Sequence, residues 1–215
     1  MKTRIALLGP PASGKGTQAG MIQAAYGIEP TSPGAILREQ KLAGTKLGLE
    51  ADAYSREGRL APDGLIVEVI SSWLAPRDGA PFLFDGFPRS IGQADALEKL
   101  LAARRAPLDI AISLDAGIDL IRDRVGRRRI CASCGNIVSL GLHVAHGDLP
   151  CPRCGGKLEG RSDDNMESLE VRMREYREKS EPVLAWYEER NLLETVNADQ
   201  PVEAVFGEIA AALNK

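Results

Sequence analysis

Short apolar runs alternate along this chain with longer segments in which apolar residues recur every three or four positions. The runs are typical of strands buried in a parallel sheet, and the periodic segments indicate amphipathic helices. The predicted strands are Arg4–Leu8, Gly27–Ser32, Pro81–Asp85, Asp109–Leu114 and Leu193–Asn197. The predicted helices are Lys15–Ala25, Pro33–Ala43, Lys46–Glu57, Pro62–Leu74, Ile91–Arg104, Ile118–Arg127, Asp163–Arg190 and Val202–Leu213. This order predicts an α/β fold with a five-stranded parallel sheet flanked by helices.

Two stretches interrupt the alternation. Residues 33–61 hold two short helices with no strand between them, and residues 129–160 are rich in Gly, Cys and Pro without a helical period. The prediction is therefore one core domain, formed by residues 1–32, 62–128 and 161–215, that carries two insertions. A chain of 215 residues is long enough for such an arrangement.

Composition and charge narrow the class of protein. No apolar run approaches the ~20 residues that a membrane span needs, and the N-terminus has no signal-peptide pattern, so we expect a cytoplasmic protein without a membrane span. The net charge of −3 disfavours a general nucleic-acid binder. Five arginines nevertheless lie within eight positions and predict an anionic ligand, because guanidinium groups match phosphate oxygens. They are Arg122, Arg124, Arg127, Arg128 and Arg129.

The first strand runs into the sequence GPPASGKGTQ, residues 9–18. Gly9, Gly14 and Lys15 have the spacing of a phosphate-binding loop, in which the backbone wraps an anion, the following helix adds its positive end and the lysine reaches the β- and γ-phosphates. Gly16 stands where such loops commonly place a hydroxyl that binds magnesium, and Thr17 follows one position later. We therefore expect Mg²⁺ to be held mainly by phosphates, water and nearby carboxylates.

The four cysteines of the chain all lie in the second insertion. Cys131 and Cys134 form one CxxC pair, and Cys151 and Cys154 form another after sixteen intervening residues. Two such pairs predict one tetrahedral Zn²⁺ site with four thiolate ligands. A complete thiolate shell leaves no position for a substrate, so the zinc is expected to be structural. His143 and His146 are interpreted as loop residues.

A second group of chemically active residues follows the strand that ends at Asp85. Its carboxylate would lie beside the phosphate loop and hold magnesium-bound water, and Arg89 would reach a second phosphate. Farther along, Arg161 and Arg172 are eleven positions apart, close to three helical turns, and are expected to share a helix face.

These motifs together resemble the adenylate kinase family, in the bacterial type with a zinc-binding lid, over essentially the whole length. The resemblance rests on GPPASGKGTQ, on DGFPRSIGQ from Asp85 to Gln93, on RVGRRRIC from Arg124, and on RSDDN from Arg161 followed by Arg172 and Tyr176. It implies that ATP and AMP react to give two ADP, with Mg²⁺ and structural Zn²⁺ as cofactors. It also implies that residues 33–61 bind the monophosphate and that residues 129–160 form the lid.

The resemblance further implies a role for individual residues. The catalytic set is Lys15, Arg89, Arg128, Arg161 and Arg172. The ATP-binding set is Pro11, Ala12, Ser13, Gly14, Lys15, Gly16, Thr17, Arg124, Arg128 and Gln200. The AMP-binding set is Ser32, Pro33, Gly34, Arg38, Gly86, Arg89, Gln93, Arg161 and Arg172, with Gln93 reading the base. Asp85 binds magnesium through water, the pair Asp163 and Asp164 couples lid closure to the site, and Cys131, Cys134, Cys151 and Cys154 bind the metal.

The chain departs from the family pattern at several positions. Ala12 replaces a common glycine, and Pro33 and Ala35 replace a common threonine and aspartate. The choice of AMP is therefore expected to depend more heavily on Gln93 and on backbone groups. At the lid entry either Arg127 or Arg128 could be the phosphate ligand, and the distance to the first cysteine favours Arg128.

Two other functions stay open at this point. One is a kinase for UMP, CMP or GMP, which the substitutions in the first insertion permit. The other is a zinc-ribbon nucleic-acid binder with a nucleotide-sensing domain, which the arginine cluster beside the cysteines suggests. The leading hypothesis has small nucleotides as its partners, with no nucleic acid and no membrane, and a monomeric state.

Overall fold

The computed structural model describes residues 1–56, 61–77, 79–134, 136–160 and 166–215, and all side chains in these ranges except those of residues 38 and 52–56. The strands are β1 (Arg4–Leu8), β2 (Pro30–Thr31), β3 (Phe82–Asp85), β4 (Ile110–Asp115), β5 (Arg128–Cys131), β6 (Ile137–Ser139), β7 (Leu158–Glu159) and β8 (Leu193–Asn197). The helices are α1 (Lys15–Tyr26), α2 (Pro33–Leu42), α3 (Lys46–Arg56), α4 (Asp63–Leu74), α5 (Ile91–Ala103), α6 (Ile118–Arg127), α7 (Met166–Glu175), α8 (Glu181–Glu188) and α9 (Val202–Asn214).

The predicted parallel sheet is confirmed. Its strand order is β2-β3-β1-β4-β8, and every neighbouring pair is parallel. Because β1 is central, with β3 on one side and β4 on the other, the strand order reverses beside it. In open α/β sheets such a reversal places a crevice at the carboxyl ends of the strands.

Burial on both faces of the sheet explains why β1 is apolar from Ile5 to Leu8. Ile5 and Leu7 pack in a cluster with residues of α1, α6 and α9. Ala6 and Leu8 pack in a second cluster with residues of α4, α5 and α8. Adjacent residues of a strand point to opposite faces, so a strand covered on both sides needs consecutive apolar residues.

Two predicted elements differ from the structure by more than one residue at an end. The second strand is shorter than expected, because Gly27 has a φ of 70° and ends α1 instead of starting the strand. The long helix predicted from residue 163 to 190 is interrupted by one π-helical turn over Tyr176–Ser180, and its last α-helical residue is Glu188. Periodicity alone does not reveal a single extra residue in a helical turn.

The second insertion contains a small antiparallel sheet that the sequence analysis did not predict. Its order is β6-β5-β7, with Arg129 opposite Val138 and Cys131 opposite Leu158. A small cluster of Cys131, Val138, Cys151 and Leu158 lies behind it. Strands of two to four residues are too short to show an alternating pattern. Within the described part of the chain, no helix is both long and apolar enough to span a bilayer.

Candidate active site

The phosphate loop, residues 9–17, connects β1 to α1 and depends on two glycines. Gly9 has a φ of 134°, and a Cβ atom there would lie 2.6 Å from the carbonyl oxygen of Leu114. Gly14 has a φ of 105° and is the N-cap of α1. Both backbone conformations strongly favour glycine. The loop therefore brings the positive end of the α1 dipole to the carboxyl edge of the sheet.

Ala12 has a strained backbone conformation. Its φ is 59°, a left-handed conformation that costs a non-glycine residue roughly 1 kcal/mol or more. Ala12 is also buried. The strain lies within the predicted phosphate-binding loop, and strained backbone of this kind is found at many ligand-binding sites.

Lys15 folds back into the loop. Its Nζ donates hydrogen bonds to the carbonyl oxygens of Gly9 at 2.8 Å and Pro10 at 2.7 Å, and lies 3.3 Å from Ser13 Oγ. Burial lowers the pKa of Lys15 to about 8. Asp85 opposes that shift, while nearby arginines add to it. The ammonium group therefore lies in a buried, strongly cationic crevice.

The arginines that lower the pKa of Lys15 come from three separate parts of the chain. Arg89 follows β3, Arg128 begins β5, and Arg172 lies in α7. Arg172 also lowers the pKa of Arg89, which burial lowers most. The fold thus gathers one lysine and three arginines that are remote in sequence.

Asp85 is the acidic counterpart of these groups at the end of β3. Burial raises the pKa of its carboxyl group, and Lys15 and Arg89 oppose the rise. Arg89 Nε donates to the carbonyl oxygen of Gly86 at 2.7 Å, which holds the guanidinium close to the turn after β3. In the register of β2 and β3, Thr31 is opposite Phe84, so Ser32 follows at the level of Asp85.

Gln93 is buried at the start of α5, where both atoms of its amide are hydrogen-bonded. Its Oε1 accepts from the backbone N–H of Arg89 at 2.8 Å, and its Nε2 donates to Asp63 Oδ1 at 2.5 Å. Ser90 Oγ donates to the other oxygen of Asp63 at 2.6 Å. The sequence analysis missed Asp63; an acid directly after a proline at a helix start was the available signal.

Arg124 joins the phosphate loop to the loop after β8. Its Nη1 donates to the carbonyl oxygen of Ser13 at 2.6 Å, and its Nη2 donates to that of Ala198 at 2.8 Å. Gln200 lies two residues after Ala198, and its Nε2 donates to the backbone of Asn197 and to Glu208 Oε1. Arg124 and Gln200, both in the predicted ATP-binding set, are therefore on elements that meet at this loop.

The neighbours Arg127 and Arg128 have different surroundings. Arg127 forms a 2.9 Å ion pair with Asp123 on an exposed face of α6. Arg128 lies close enough to Lys15 to lower its pKa. This difference supports Arg128 as the phosphate ligand.

Several of the other predicted site residues are at the start of α2. Ser32 is the N-cap, and its Oγ accepts from the backbone N–H of Ala35 at 3.2 Å. Pro33 and Gly34 form the first turn. The predictions for Arg161, Asp163 and Asp164 lie outside the described residues, and that for Arg38 lies outside the described side chains.

The four cysteines of the second insertion converge as the CxxC spacing predicts. Their Sγ atoms all lie within 4.8 Å of one another, with 3.5 Å between Cys131 and Cys154 and 3.8 Å between Cys134 and Cys151. A tetrahedral site with Zn–S bonds of ~2.3 Å requires sulfur atoms roughly 3.8 Å apart. All four are free thiols. Distances and donor chemistry therefore fit Zn²⁺.

Two neighbours support the interpretation of this cluster. A Cβ atom on Gly156 would lie 3.0 Å from Cys131 Sγ and 2.5 Å from Ser133 Oγ. The close approach of the two CxxC segments therefore depends on a glycine at this position. His143 lies in a turn, where its Nδ1 accepts from the backbone N–H of Ser139 at 2.9 Å. Neither His143 nor His146 belongs to the cysteine cluster among the described residues.

Comparison with known proteins finds similar chains that match over almost the whole length. The family model described as adenylate kinase matches residues 7–192. A protein named adenylate kinase from Thermodesulfovibrio yellowstonii is 38% identical over 213 residues, which cover 99% of each chain. Proteins of the same name from Desulfitobacterium hafniense and Methanocella arvoryzae are 36% and 38% identical, over 98% and 97% of this chain and 97% of each relative.

Proposed function

The chain belongs to the adenylate kinase family, and we propose that its cationic crevice is the site of that family's reaction. The enzyme transfers the terminal phosphoryl group of ATP to AMP and forms two ADP. The observation that best supports the site is the convergence of Lys15, Arg89, Arg128 and Arg172 at the phosphate loop. Phosphoryl transfer asks the protein mainly to position two nucleotides and to stabilise charge, which fixed cations accomplish.

On the ATP side, the phosphate loop binds the triphosphate through its backbone N–H groups. We assign to this loop Pro11, Ala12, Ser13, Gly14, Lys15, Gly16 and Thr17. Lys15 exchanges its bonds to two loop carbonyls for bonds to phosphate oxygens, which brings its positive charge against the transferred group. Arg124 and Gln200 contact the base of ATP. They lie where α6 and the end of β8 approach this loop.

On the AMP side, the phosphate is held by Arg89 with Arg38, Arg161 and Arg172. Residues 33–61 form the monophosphate-binding insertion, and Ser32, Pro33, Gly34 and Gly86 line its approach. Gln93 reads the base with its amide. Support comes from the position of Ser32 at the level of Asp85, which puts the start of α2 at the same sheet edge as the phosphate loop.

Asp85 is the residue that would hold Mg²⁺, through water. The donor set fits a hard cation, because a carboxylate lies at the end of β3 beside the phosphate-binding lysine. When bound with ATP, the ion neutralises charge on the phosphates. The raised pKa of Asp85 reflects burial, so a nearby cation favours its ionised form.

Residues 129–160 form a lid, which the Zn²⁺ bound by Cys131, Cys134, Cys151 and Cys154 holds together. The hydrophobic cluster behind this sheet is small, and a structural metal supplies stability that so small a core lacks. The lid closes over the crevice and excludes water, which would otherwise accept the phosphoryl group.

The direct test is ADP formation from Mg-ATP with and without AMP, and with GMP, CMP and UMP as alternative acceptors. AMP-dependent ADP formation should be fastest. Lys15→Met should lower the rate roughly 100-fold or more, because it removes a charge from the transition state. Lys99→Met is the matched control, since Lys99 is exposed and pairs only with Asp95 among the described residues. A folded wild-type protein that forms no AMP-dependent ADP would refute the proposal.

A further inference from the structure

Asp63 connects the first turns of two helices at the edge of the crevice. It is the first residue of α4, and its two carboxylate oxygens accept from Gln93 Nε2 at 2.5 Å and from Ser90 Oγ at 2.6 Å. Ser90 is the N-cap of α5 and in turn accepts from the backbone N–H of Gln93 at 3.1 Å. Gln93 is therefore tied to Asp63 both directly and through the cap.

These contacts allow the Gln93 amide only one orientation. A carboxylate accepts hydrogen bonds and cannot donate, so it selects the NH₂ side of the amide. The backbone N–H of Arg89 donates and cannot accept, so it selects Oε1. A flipped amide would place oxygen against the carboxylate of Asp63 and NH₂ against an N–H group. Both contacts would then be repulsive.

We propose that Asp63 is a positioning residue that makes the enzyme select adenine over guanine. The proposal rests on the proposed function, in which the Gln93 amide reads the base of AMP. In the fixed orientation, one N–H of Nε2 and one lone pair of Oε1 remain for the ligand. Asp63 thus decides which atom of the amide faces which position of the base.

The two purines present opposite patterns to such an amide. Adenine offers an amino donor at its 6 position beside an acceptor at N1, whereas guanine offers an acceptor at its 6 position beside an N1–H donor. A base held in one register is therefore matched by only one orientation of a primary amide. The orientation that suits guanine is the flipped one, which Asp63 opposes.

Pro33 makes this chain more dependent on the amide. Its side chain, in the first turn of α2, has no hydrogen-bonding group to offer the base. Selection between purines then depends on fewer polar groups, and the orientation of each one counts for more.

The test uses Asp63→Asn in the full-length enzyme, with kcat and KM measured for AMP and for GMP. Asparagine can accept from or donate to the amide, so the flipped state is no longer opposed on this side. We expect the AMP-over-GMP ratio of kcat/KM to fall roughly tenfold or more, the size of a lost hydrogen bond to a charged group. The change should appear in the KM for AMP, with kcat at saturating AMP and the KM for ATP close to wild type.

Asp95→Asn is the matched control, because Asp95 lies on α5 with Gln93 but pairs on the surface with Lys99. It should leave the ratio unchanged. Asp63→Ala, which can bond neither amide atom, carries the same expectation as Asp63→Asn and replaces it if that variant does not fold.

An unchanged AMP-over-GMP ratio of kcat/KM in a folded Asp63 variant overturns the proposal. An equal loss of kcat with both nucleotides also overturns it, because that result indicates a merely structural residue. Failure of the proposed function gives a different result, because the wild-type enzyme would then form no ADP from AMP; that result overturns both. A Gln93→Ala variant with an undiminished AMP preference would overturn the role of the amide while leaving the reaction itself intact.

Discussion

Arg124 and Ser13 are joined by a 2.6 Å hydrogen bond from the guanidinium to the carbonyl oxygen, although 111 positions separate them in the chain. The bond attaches α6, which leads into the second insertion, directly to the phosphate loop. A second bond from the same guanidinium reaches Ala198. The helix before the second insertion, the phosphate loop and the loop after β8 therefore meet at a single side chain.

Arg124→Ala should raise the KM for ATP by roughly tenfold, because charge-assisted hydrogen bonds that order the ATP-binding loops are lost. The KM for AMP should change much less. Steady-state kinetics with each substrate varied in turn measures both values. Arg122→Ala is the control, since Arg122 lies on the same helix but contacts Asp119 on the exposed surface. Equal effects of the two substitutions would contradict the assignment.

The adjacent residues Arg127 and Arg128 provide a second paired test. Arg128→Ala should reduce kcat by roughly 100-fold, because a cation beside the transferred phosphoryl group is removed. Arg127→Ala should leave activity near that of the wild-type enzyme, since its partner is Asp123 on an exposed face. Measuring kcat at saturating ATP and AMP distinguishes them. The reverse ranking would move the phosphate ligand to Arg127.

The lowered pKa of Lys15 predicts a pH-dependent stability of the nucleotide-free enzyme. Its pKa is about 8 in the folded state against 10.5 as the ordinary value. Between these values the unfolded state binds more protons, so the contribution of Lys15 to the free energy of unfolding increases with pH. Below the folded pKa, both states are protonated, and the folded state carries the whole cost of burying the charge, on the order of 3 kcal/mol.

Lys15→Met removes this titration. The variant should therefore be more stable than wild type at pH 7, and the difference should shrink as the pH rises from about 8 toward 10.5. Urea unfolding of both proteins without nucleotide, at several pH values in this window, measures the difference. A difference that stays constant with pH would show that burial does not depress the pKa of Lys15.

Gly156→Ala should weaken zinc binding by roughly tenfold or more, because the added methyl group would displace Ser133 and the ligand Cys131. Release of zinc to a chromogenic chelator in graded competition measures the affinity. Gly160→Ala is the control, since a Cβ atom there has nothing within 4 Å. Equal zinc affinity in the two variants would show that the two CxxC segments tolerate the methyl group.

Cys131→Ser should lower the thermal midpoint of the enzyme more than it lowers kcat at low temperature. The substitution removes one of four thiolates from a site whose binding energy contributes to folding, while the cations around Lys15 stay in place. Differential scanning calorimetry and rate measurements at low temperature provide the comparison. A loss of kcat as large as that of Lys15→Met, with an unchanged midpoint, would assign the metal to catalysis.

Most elements could be predicted from the sequence because each depends on nearby residues. The bounds of β1, α6 and β8 were predicted to the residue, since an apolar run or a helical period marks them. The small sheet of β5, β6 and β7 escaped prediction because its strands are too short to carry a pattern. The π-helical turn at Tyr176–Ser180 escaped because one extra residue per turn hardly disturbs the period.

At the site, too, local motifs could be predicted from the sequence, whereas contacts between distant residues could not. The phosphate loop and the paired cysteines are local motifs, so the sequence by itself determined the family and its reaction class, and it predicted the candidate phosphate-binding residues and the four cysteines that cluster as a possible metal site. Only the tertiary structure decided that Arg128 and not Arg127 approaches Lys15, and that Asp63 holds Gln93. These relationships join residues distant in the chain, and their geometry depends on how the sheet orders its strands and how the helices pack against it.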